Sequence, residues 1–140
     1  MPQSSRFAVF GLGRYGHQIA LSLASKGAEV FTFDSDPTRS ESIKDEVALS
    51  VTMDATDARA LQAQNVQDMD AAVVAIGENF EATMLTSMNL LDLGVPRVIV
   101  RSSGDHQKRI LTSLGIREIL TPESEVASIV SERLLSLIHI

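Results

Sequence analysis

The stretch that decides the fold reads Phe7-Ala8-Val9-Phe10-Gly11-Leu12-Gly13-Arg14-Tyr15-Gly16. Its first four residues are apolar and predict a buried β-strand, and its glycines have the GxGxxG spacing of a phosphate-binding turn. A helix-like segment, residues 18–26, follows, and a second apolar run, Val30-Phe31-Thr32-Phe33, ends in Asp34. This order of strand, glycine loop, helix, strand and acid predicts a βαβ unit that binds a nucleotide.

Each part of this unit has its own chemical role. Gly11 permits the tight turn, Gly13 lets the backbone approach a pyrophosphate because it has no Cβ, and Gly16 lets the helix pack against the strand. Phosphates would bind the free N–H groups at the positive end of that helix. Asp34 would accept hydrogen bonds from ribose hydroxyls and repel a 2′-phosphate, which disfavours NADP, although Arg39 keeps that exclusion incomplete. The alternative is a glycine-rich turn without a ligand, and the surrounding strand, helix and acid favour nucleotide binding.

The rest of the chain alternates short apolar runs with longer helical patterns. Strands apolar on both faces are typical of a parallel sheet that helices cover on both sides. The pattern predicts an α/β fold, a Rossmann-like doubly wound parallel sheet of six strands in the order 3-2-1-4-5-6. The ligand crevice would lie at the carboxyl ends of strands one and four, where the order reverses. We expect strands at residues 7–10, 30–34, 48–52, 71–76, 97–101 and 118–120, and helices at 14–26, 37–45, 57–64, 80–93, 105–114 and 122–138.

Length and composition limit the possible classes of protein. A chain of 140 residues suits one domain, and it has no cysteine, which excludes disulfides and zinc–thiolate sites. The net charge is −6 with no basic block, which argues against nucleic acid as the main partner. The first residues lack a signal-peptide pattern, and no apolar run approaches the ~18 residues of a membrane span, so we expect a cytoplasmic protein.

No catalytic constellation accompanies the predicted nucleotide site. The single tyrosine, Tyr15, lies in the glycine loop, and no Tyr-x-x-x-Lys pair exists. The histidines His17, His106 and His139 have no sequence partner that suggests a triad or a metal pair, so surface or packing roles are favoured. The pattern favours a sensor over an enzyme and predicts neither catalytic nor metal-binding residues.

Several charged residues have both a binding and a structural interpretation. Arg14 would offer phosphate a fork of donors, or it is a solvated loop residue. Asp36 and Asp54 would contact ribose or adenine, or they only cap helices. Arg101 would meet phosphates or pair with Glu123, which is favourable at a helix N-terminus even without a ligand. The complete predicted nucleotide-binding set is Gly11, Leu12, Gly13, Arg14, Tyr15, Gly16, Asp34, Asp36, Asp54, Ala55, Thr56, Ala75, Ile76, Gly77, Arg101 and Glu123.

The last helix has a stripe of apolar residues that suits packing. The two interpretations are packing on the chain's own sheet and packing on a partner subunit, and Leu135, off the main stripe, favours the partner. The stripe consists of Val126, Ile129, Val130, Leu134, Leu137 and Ile138.

Several stretches together resemble the regulator-of-potassium-conductance family, also called the RCK, KTN or TrkA-N domains. The resemblance extends from about Arg6 to Leu135, and its closest subgroup is the cytosolic regulators of Trk/Ktr-type potassium transporters. The stretches that carry it are Phe7 to Gly16, which looks like the family's "vvIGLGRFG", Asp54-Ala55-Thr56-Asp57, Val74-Ala75-Ile76-Gly77 with Asn79 and Thr83, and Leu114-Gly115-Ile116 with Ile119-Leu120 and Pro122-Glu123.

The resemblance implies a cytosolic nucleotide-sensing subunit that gates potassium transport through a membrane partner. Its ligand would be NAD(H) or an adenine nucleotide, ATP or ADP. The domains would pair through the final helix as homodimers and assemble into a ring, an octamer in the full-length protein, at the inner face of the cell membrane. In ATP-binding relatives the residue matching Glu123 helps to hold a divalent cation or phosphate. Residues 1–140 would form the nucleotide-binding N-lobe, truncated before a C-terminal lobe.

Two other function classes compete with this one. A small NAD-dependent oxidoreductase domain would need a proton donor near the crevice, and the sequence shows none. A redox-sensing transcription regulator would need a helix-turn-helix segment and a basic surface, which the sequence also lacks.

Overall fold

The apolar runs form one six-stranded parallel sheet with helices on both faces. The structure is a computed structural model that describes the backbone of residues 5–138 and the side chains of residues 5–136. The strands are β1 (Arg6–Phe10), β2 (Glu29–Asp34), β3 (Leu49–Thr52), β4 (Ala71–Val74), β5 (Val98–Arg101) and β6 (Glu118–Leu120). The helices are α1 (Arg14–Ser25), α2 (Pro37–Ile43), α3 (Ala58–Ala63), α4 (Phe80–Asp92), α5 (Asp105–Ser113) and α6 (Pro122–Ile138).

The strand order β3-β2-β1-β4-β5-β6 confirms the predicted topology. Strand β1 is central, and its Phe10 lies beside Phe33 of β2 and Val74 of β4. The carboxyl ends of these three strands therefore meet at one edge of the sheet, at the point where the strand order reverses. In open α/β sheets this point is where ligands bind.

Alternate residues of the strands fill two cores, one on each face of the sheet. Phe10 and Phe33 lie in the larger core, where their rings stack with centroids 4.9 Å apart. Val9 and Val30 lie in the smaller core, beneath α1. Burying such side chains contributes about 1.5–3 kcal/mol each, so the central strands are firmly held.

The structure corrects several predicted boundaries by a few residues. Strand β4 ends at Val74 rather than at residue 76, because its pairing with β5 ends at the Val74–Val100 pair. The next residue keeps one sheet-like bond, from the Ala75 N–H to the Phe10 carbonyl at 2.7 Å, before the chain leaves the sheet. Helix α2 ends at Ile43 rather than at residue 45, and an unpredicted 3-10 turn spans Val66–Asp68.

Helix α6 stands off the sheet. Every described side chain from 123 to 136 is exposed, including the stripe residues Ile129 (48%) and Leu134 (58%). The interpretation that α6 packs on its own sheet is therefore wrong for these residues. The side chains of Leu137 and Ile138, and all of His139, lie outside the described part of the chain. Within residues 5–138 no helix is both long enough and apolar enough to cross a membrane.

Candidate nucleotide-binding site

The glycine loop is fixed by two close backbone approaches. Gly11 has φ +93°, donates its N–H to the Phe33 carbonyl at 2.9 Å, and would bring a Cβ within 2.7 Å of the Ala75 carbonyl oxygen. A Cβ on Gly16 would overlap the carbonyl oxygen of Gly11. Gly11 therefore needs to be glycine for the loop to close against Ala75, just after β4, and Gly16 needs to be glycine for α1 to pack against the loop, independently of any ligand.

Gly13 differs from both of these glycines because it faces open space. A Cβ there would meet only the Nη1 atom of Arg39, at 3.9 Å. Gly13 is also the N-cap of α1, and no side chain caps that helix, whereas side chains of Asp36, Asp57 and Asn79 cap α2, α3 and α4. The N–H groups that begin α1 therefore have no side-chain cap, and the open space at Gly13 beside them suits the approach of an anion.

The Asp34 carboxylate joins the loop to the end of β2. Asp34 is only 8% exposed, and its two oxygens accept the N–H of Leu12 at 2.6 Å and the N–H of Asp36 at 2.8 Å. A carboxylate has about four acceptor positions, so these bonds hold the group in place and leave capacity for two ribose hydroxyls.

The loop after β3 is also fixed by its own polar groups. Asp54 accepts hydrogen bonds from the Thr56 hydroxyl at 2.7 Å and the Thr56 N–H at 2.9 Å, and these bonds lower the pKa of Asp54. Asn89 of α4 donates its amide to the Thr56 carbonyl at 3.0 Å. The Met53 N–H donates to the Asp34 carbonyl at 3.0 Å, so this loop begins beside Asp34.

A group of three side chains connects the glycine loop to α6. The Arg101 guanidinium lies 4.4 Å above the Tyr15 ring centroid, and its Nη2 is 3.2 Å from a Glu123 oxygen. The pKa of Glu123 is lowered, chiefly by its own backbone N–H and less by Arg101 and Tyr15. Arg101 therefore forms the predicted ion pair and still lines the cleft. Within residues 5–138 no group of three or more His, Asp or Glu side chains has a metal-binding arrangement.

These elements enclose one cleft of about 790 Å³. Three arginines line it, Arg14, Arg39 and Arg101, and these cations suit the phosphates of a nucleotide. The predicted residues that line it are Gly11, Gly13, Arg14, Tyr15, Asp34, Asp54, Ala55, Thr56, Ala75, Ile76, Gly77, Arg101 and Glu123. The structure brings these residues together, and their contacts with a ligand stay predictions.

The remaining predicted residues lie outside the cleft lining. The Leu12 side chain is 4% exposed in the smaller core, and its N–H is already bonded to Asp34. Gly16 is buried beneath the loop. Asp36 caps α2 by accepting the Thr38 N–H at 2.9 Å, so capping accounts for the position of this side chain.

Lining residues on α4 and near Gly13 were not predicted from the sequence. Arg39, which the sequence suggested only as a contact for a 2′-phosphate, lines the cleft beside Gly13, where we expect the phosphates to bind. Asn79, the N-cap of α4, lies on the same face of that helix as Ala82 and Thr86. Their helical spacing is the sequence feature that predicts a shared face. That face turns toward the loop after β3.

The protein-family comparison finds the TrkA-N domain over residues 7–122. The chain is 33% identical over 130 residues to Ktr system potassium uptake protein C of Bacillus subtilis, covering 93% of this chain and 59% of that protein. Among solved structures, the TrkA-N domain of inner membrane protein ybaL from Escherichia coli has a TM-score of 0.81 at 18% identity, covering 96% of this chain and 99% of that one.

A second solved structure is the Kef CTD of Shewanella denitrificans in its AMP-bound form. Its TM-score is 0.76 at 17% identity, covering 96% of this chain and 82% of that one. At these identities the solved structures establish the fold alone. The family match covers most of the chain and includes the glycine loop, Asp34 and all of the sheet except Arg6, the first residue of β1. The chain therefore belongs to the TrkA-N domain family.

Proposed function

We propose that this chain binds an adenine nucleotide, NAD(H) or ATP/ADP, and serves as a nucleotide-sensing gating subunit of a membrane-embedded potassium transporter. One observation carries the binding proposal, the open surface at Gly13. The loop's other glycines are required by the fold, whereas Gly13 exposes an uncapped helix N-terminus to a cleft lined by arginines and by Asp34. This arrangement suits a phosphorylated ribose.

The transport assignment is supported by relatives. The Bacillus protein is named for potassium uptake, and the chain spans 59% of its length. We assign residues 1–140 as a nucleotide-binding regulatory domain, the N-lobe in the sense of the family. A regulatory role, rather than catalysis, agrees with the names of these relatives.

The gating proposal depends on α6. Its exposed apolar residues include Val126, Ile129 and Leu134, and exposed apolar patches of this kind mark protein interfaces. We propose that α6 packs against α6 of a second copy, and that such dimers form a ring, an octamer in the longer protein. The ring would sit at the inner face of the membrane, held there by the transporter.

Thermal unfolding with NAD, NADH, ATP, ADP and AMP tests the binding proposal directly. A ligand at 100 times its Kd stabilises the folded state by about 2.7 kcal/mol, which a melting curve resolves easily. We expect stabilisation by at least one adenine nucleotide. If none of them shifts the melting temperature at millimolar concentration, the proposed function is wrong.

A turnover assay separates the regulator from the oxidoreductase alternative. NAD with a panel of alcohols and hydroxy acids should give no NADH above the level without substrate. Substrate-dependent NADH formation that copurifies with the chain would contradict the regulatory assignment.

A further inference from the structure

Helix α4 has buried hydroxyls in successive turns, and their hydrogen bonding differs. The Thr83 hydroxyl donates to the Ile76 carbonyl at 3.1 Å or to the Asn79 carbonyl at 3.2 Å. The Ser87 hydroxyl donates to the Thr83 carbonyl at 2.7 Å. Such back-bonding to the preceding turn is the usual way in which a helical threonine or serine is satisfied.

Thr86 departs from this behaviour. Thr86 is fully buried, at 0% exposure, and its Oγ1 forms no hydrogen bond with any residue in the described range. A buried hydroxyl without a partner costs about 1–3 kcal/mol, so native structures rarely retain one unless something else bonds it. Thr86 also lines the cleft described above, so a hydrogen-bond partner for its hydroxyl would come from that side.

The position of Thr86 relates it to the loop after β3. Ala82, Thr86 and Asn89 share the face of α4 that turns toward this loop. Asn89 is bonded to that loop, since its amide N–H donates to the Thr56 carbonyl. One turn closer to the cleft, Thr86 has no such bond to the loop, and the small residue Ala82 lines the cleft beside it.

We propose that the Thr86 hydroxyl binds the nucleobase of the ligand and hydrogen-bonds the polar edge of a purine. The inference rests on the proposed function, because the loop that begins at Met53 lies beside Asp34, where we place the ribose. Small side chains, Ala55 and Ala82, leave room for a bicyclic base between that loop and α4. A threonine hydroxyl both donates and accepts, so it complements an adenine amino group or a ring nitrogen.

The test compares AMP with ribose 5-phosphate in the wild-type chain and in Thr86→Val. Valine keeps the shape of threonine and removes only the hydroxyl. We expect Thr86→Val to weaken AMP binding by about tenfold, as the loss of one buried hydrogen bond predicts. Binding of ribose 5-phosphate, which has no base, should not change, and the melting temperature without ligand should stay the same or rise because an unpaired buried hydroxyl is gone.

Thr83→Val is the matched control, since it is the same substitution one turn earlier in the same helix. It removes a hydroxyl that is bonded within the chain, so it should lower the melting temperature and leave the ratio of AMP affinity to ribose 5-phosphate affinity unchanged.

The possible outcomes separate this inference from the proposed function. If wild type binds AMP and Thr86→Val has the same affinity ratio, the base contact is wrong and nucleotide binding stands. If Thr86→Val loses thermal stability as Thr83→Val does, its hydroxyl has an internal partner and the inference is also wrong. If wild type binds neither AMP nor any other nucleotide of the panel, the proposed function itself fails.

Discussion

The nucleotide cleft and helix α6 are opposite cases of burial in one small chain. In the cleft, polar groups such as the Asp34 carboxylate are buried, and bonds from the chain's own backbone satisfy them. On α6, apolar groups such as Val126 and Leu134 are exposed, and nothing in the described chain covers them. Residues of the chain itself line the cleft, whereas the apolar face of α6 would be buried only by contact with another molecule. Nucleotide binding should therefore persist when that apolar face is changed, with its affinity altered only through the loss of association, and association should persist after changes in the cleft that leave the fold intact.

Gly16→Ala should have the largest effect on stability, because it disrupts the backbone packing between α1 and the glycine loop. The new Cβ would overlap the Gly11 carbonyl oxygen, so the loop or α1 must move. We expect a loss of about 3 kcal/mol in the free energy of unfolding, at the upper end for overpacking, measured by urea denaturation. Gly13→Ala is the control and should change stability by less than about 0.5 kcal/mol, since its Cβ meets open space. Equal losses in the two variants would contradict the division of roles among the loop glycines.

Gly13→Val should separate binding from folding. Its side chain would occupy the space where we place the phosphates, without touching the core. The melting temperature without ligand should be unchanged, and the stabilisation of about 2.7 kcal/mol at 100 times the wild-type Kd should disappear. A variant that still gains full stabilisation would place the phosphates elsewhere.

Asp34→Asn should weaken both folding and binding, since this side chain serves the loop and the proposed ribose. Asparagine keeps the shape but turns one acceptor into a donor that faces a backbone N–H. We expect a loss of about 2 kcal/mol in unfolding free energy, within the range for an unsatisfied buried group, together with weaker nucleotide binding by calorimetry. Unchanged stability would show that the two backbone bonds contribute little.

Replacing Ile129 and Leu134 by glutamine should affect association and spare the sheet. Both side chains are exposed in the single chain, so unfolding free energy at high dilution should change by less than about 0.5 kcal/mol. In sedimentation we expect a dimer for wild type and a monomer for the double variant, which should still bind nucleotide. Glu132→Gln, an exposed change on the same helix, should leave the dimer intact. A monomeric wild type would refute the proposed pairing.

Acidification should have the smallest effect and should act on the cleft rim. The lowered pKa of Asp54 means that its bonds to Thr56 add stability above the ordinary aspartate pKa of about 3.9, and that this contribution is lost as pH falls through the lowered value. Asp54 is exposed, so the effect is slight. Urea midpoints at pH 7 and pH 3 should differ less in Asp54→Asn than in wild type. An equal difference in the two proteins would mean that Asp54 contributes nothing to acid sensitivity.

The sequence predicted the sheet well because local signals and topology agree. The apolar runs gave six strands, and the rule for doubly wound sheets gave the order that the structure confirms. Capping was one of the two interpretations of Asp36, and Asp36 does cap α2. Gly11 and Gly16 were recognised because their spacing reflects backbone constraints that hold in any such turn.

Three-dimensional neighbours explain what the sequence could not predict. Periodicity places Thr86 on a helix face, but only the fold shows that this face borders the cleft and that its hydroxyl lacks a partner there. The apolar stripe on α6 predicts a packing face but not what packs on it. The chain's own sheet and a second copy of the chain both offer apolar surface, so the pattern does not distinguish them. Arg39, on α2, lies beside Gly13 only in the folded chain, and no spacing rule encodes that proximity.

The contact between Arg101 and Glu123 would make nucleotide binding and association through α6 thermodynamically dependent on each other. Arg101 stacks on Tyr15 of the glycine loop and pairs with the first turn of α6, so a phosphate that attracts this guanidinium competes with Glu123 for it. Linkage then requires reciprocity: whatever factor a nucleotide applies to the affinity of α6 for its partner, the partner applies to the affinity for the nucleotide. A chain held in an assembly would consequently report a different cellular nucleotide concentration from the same chain free in solution.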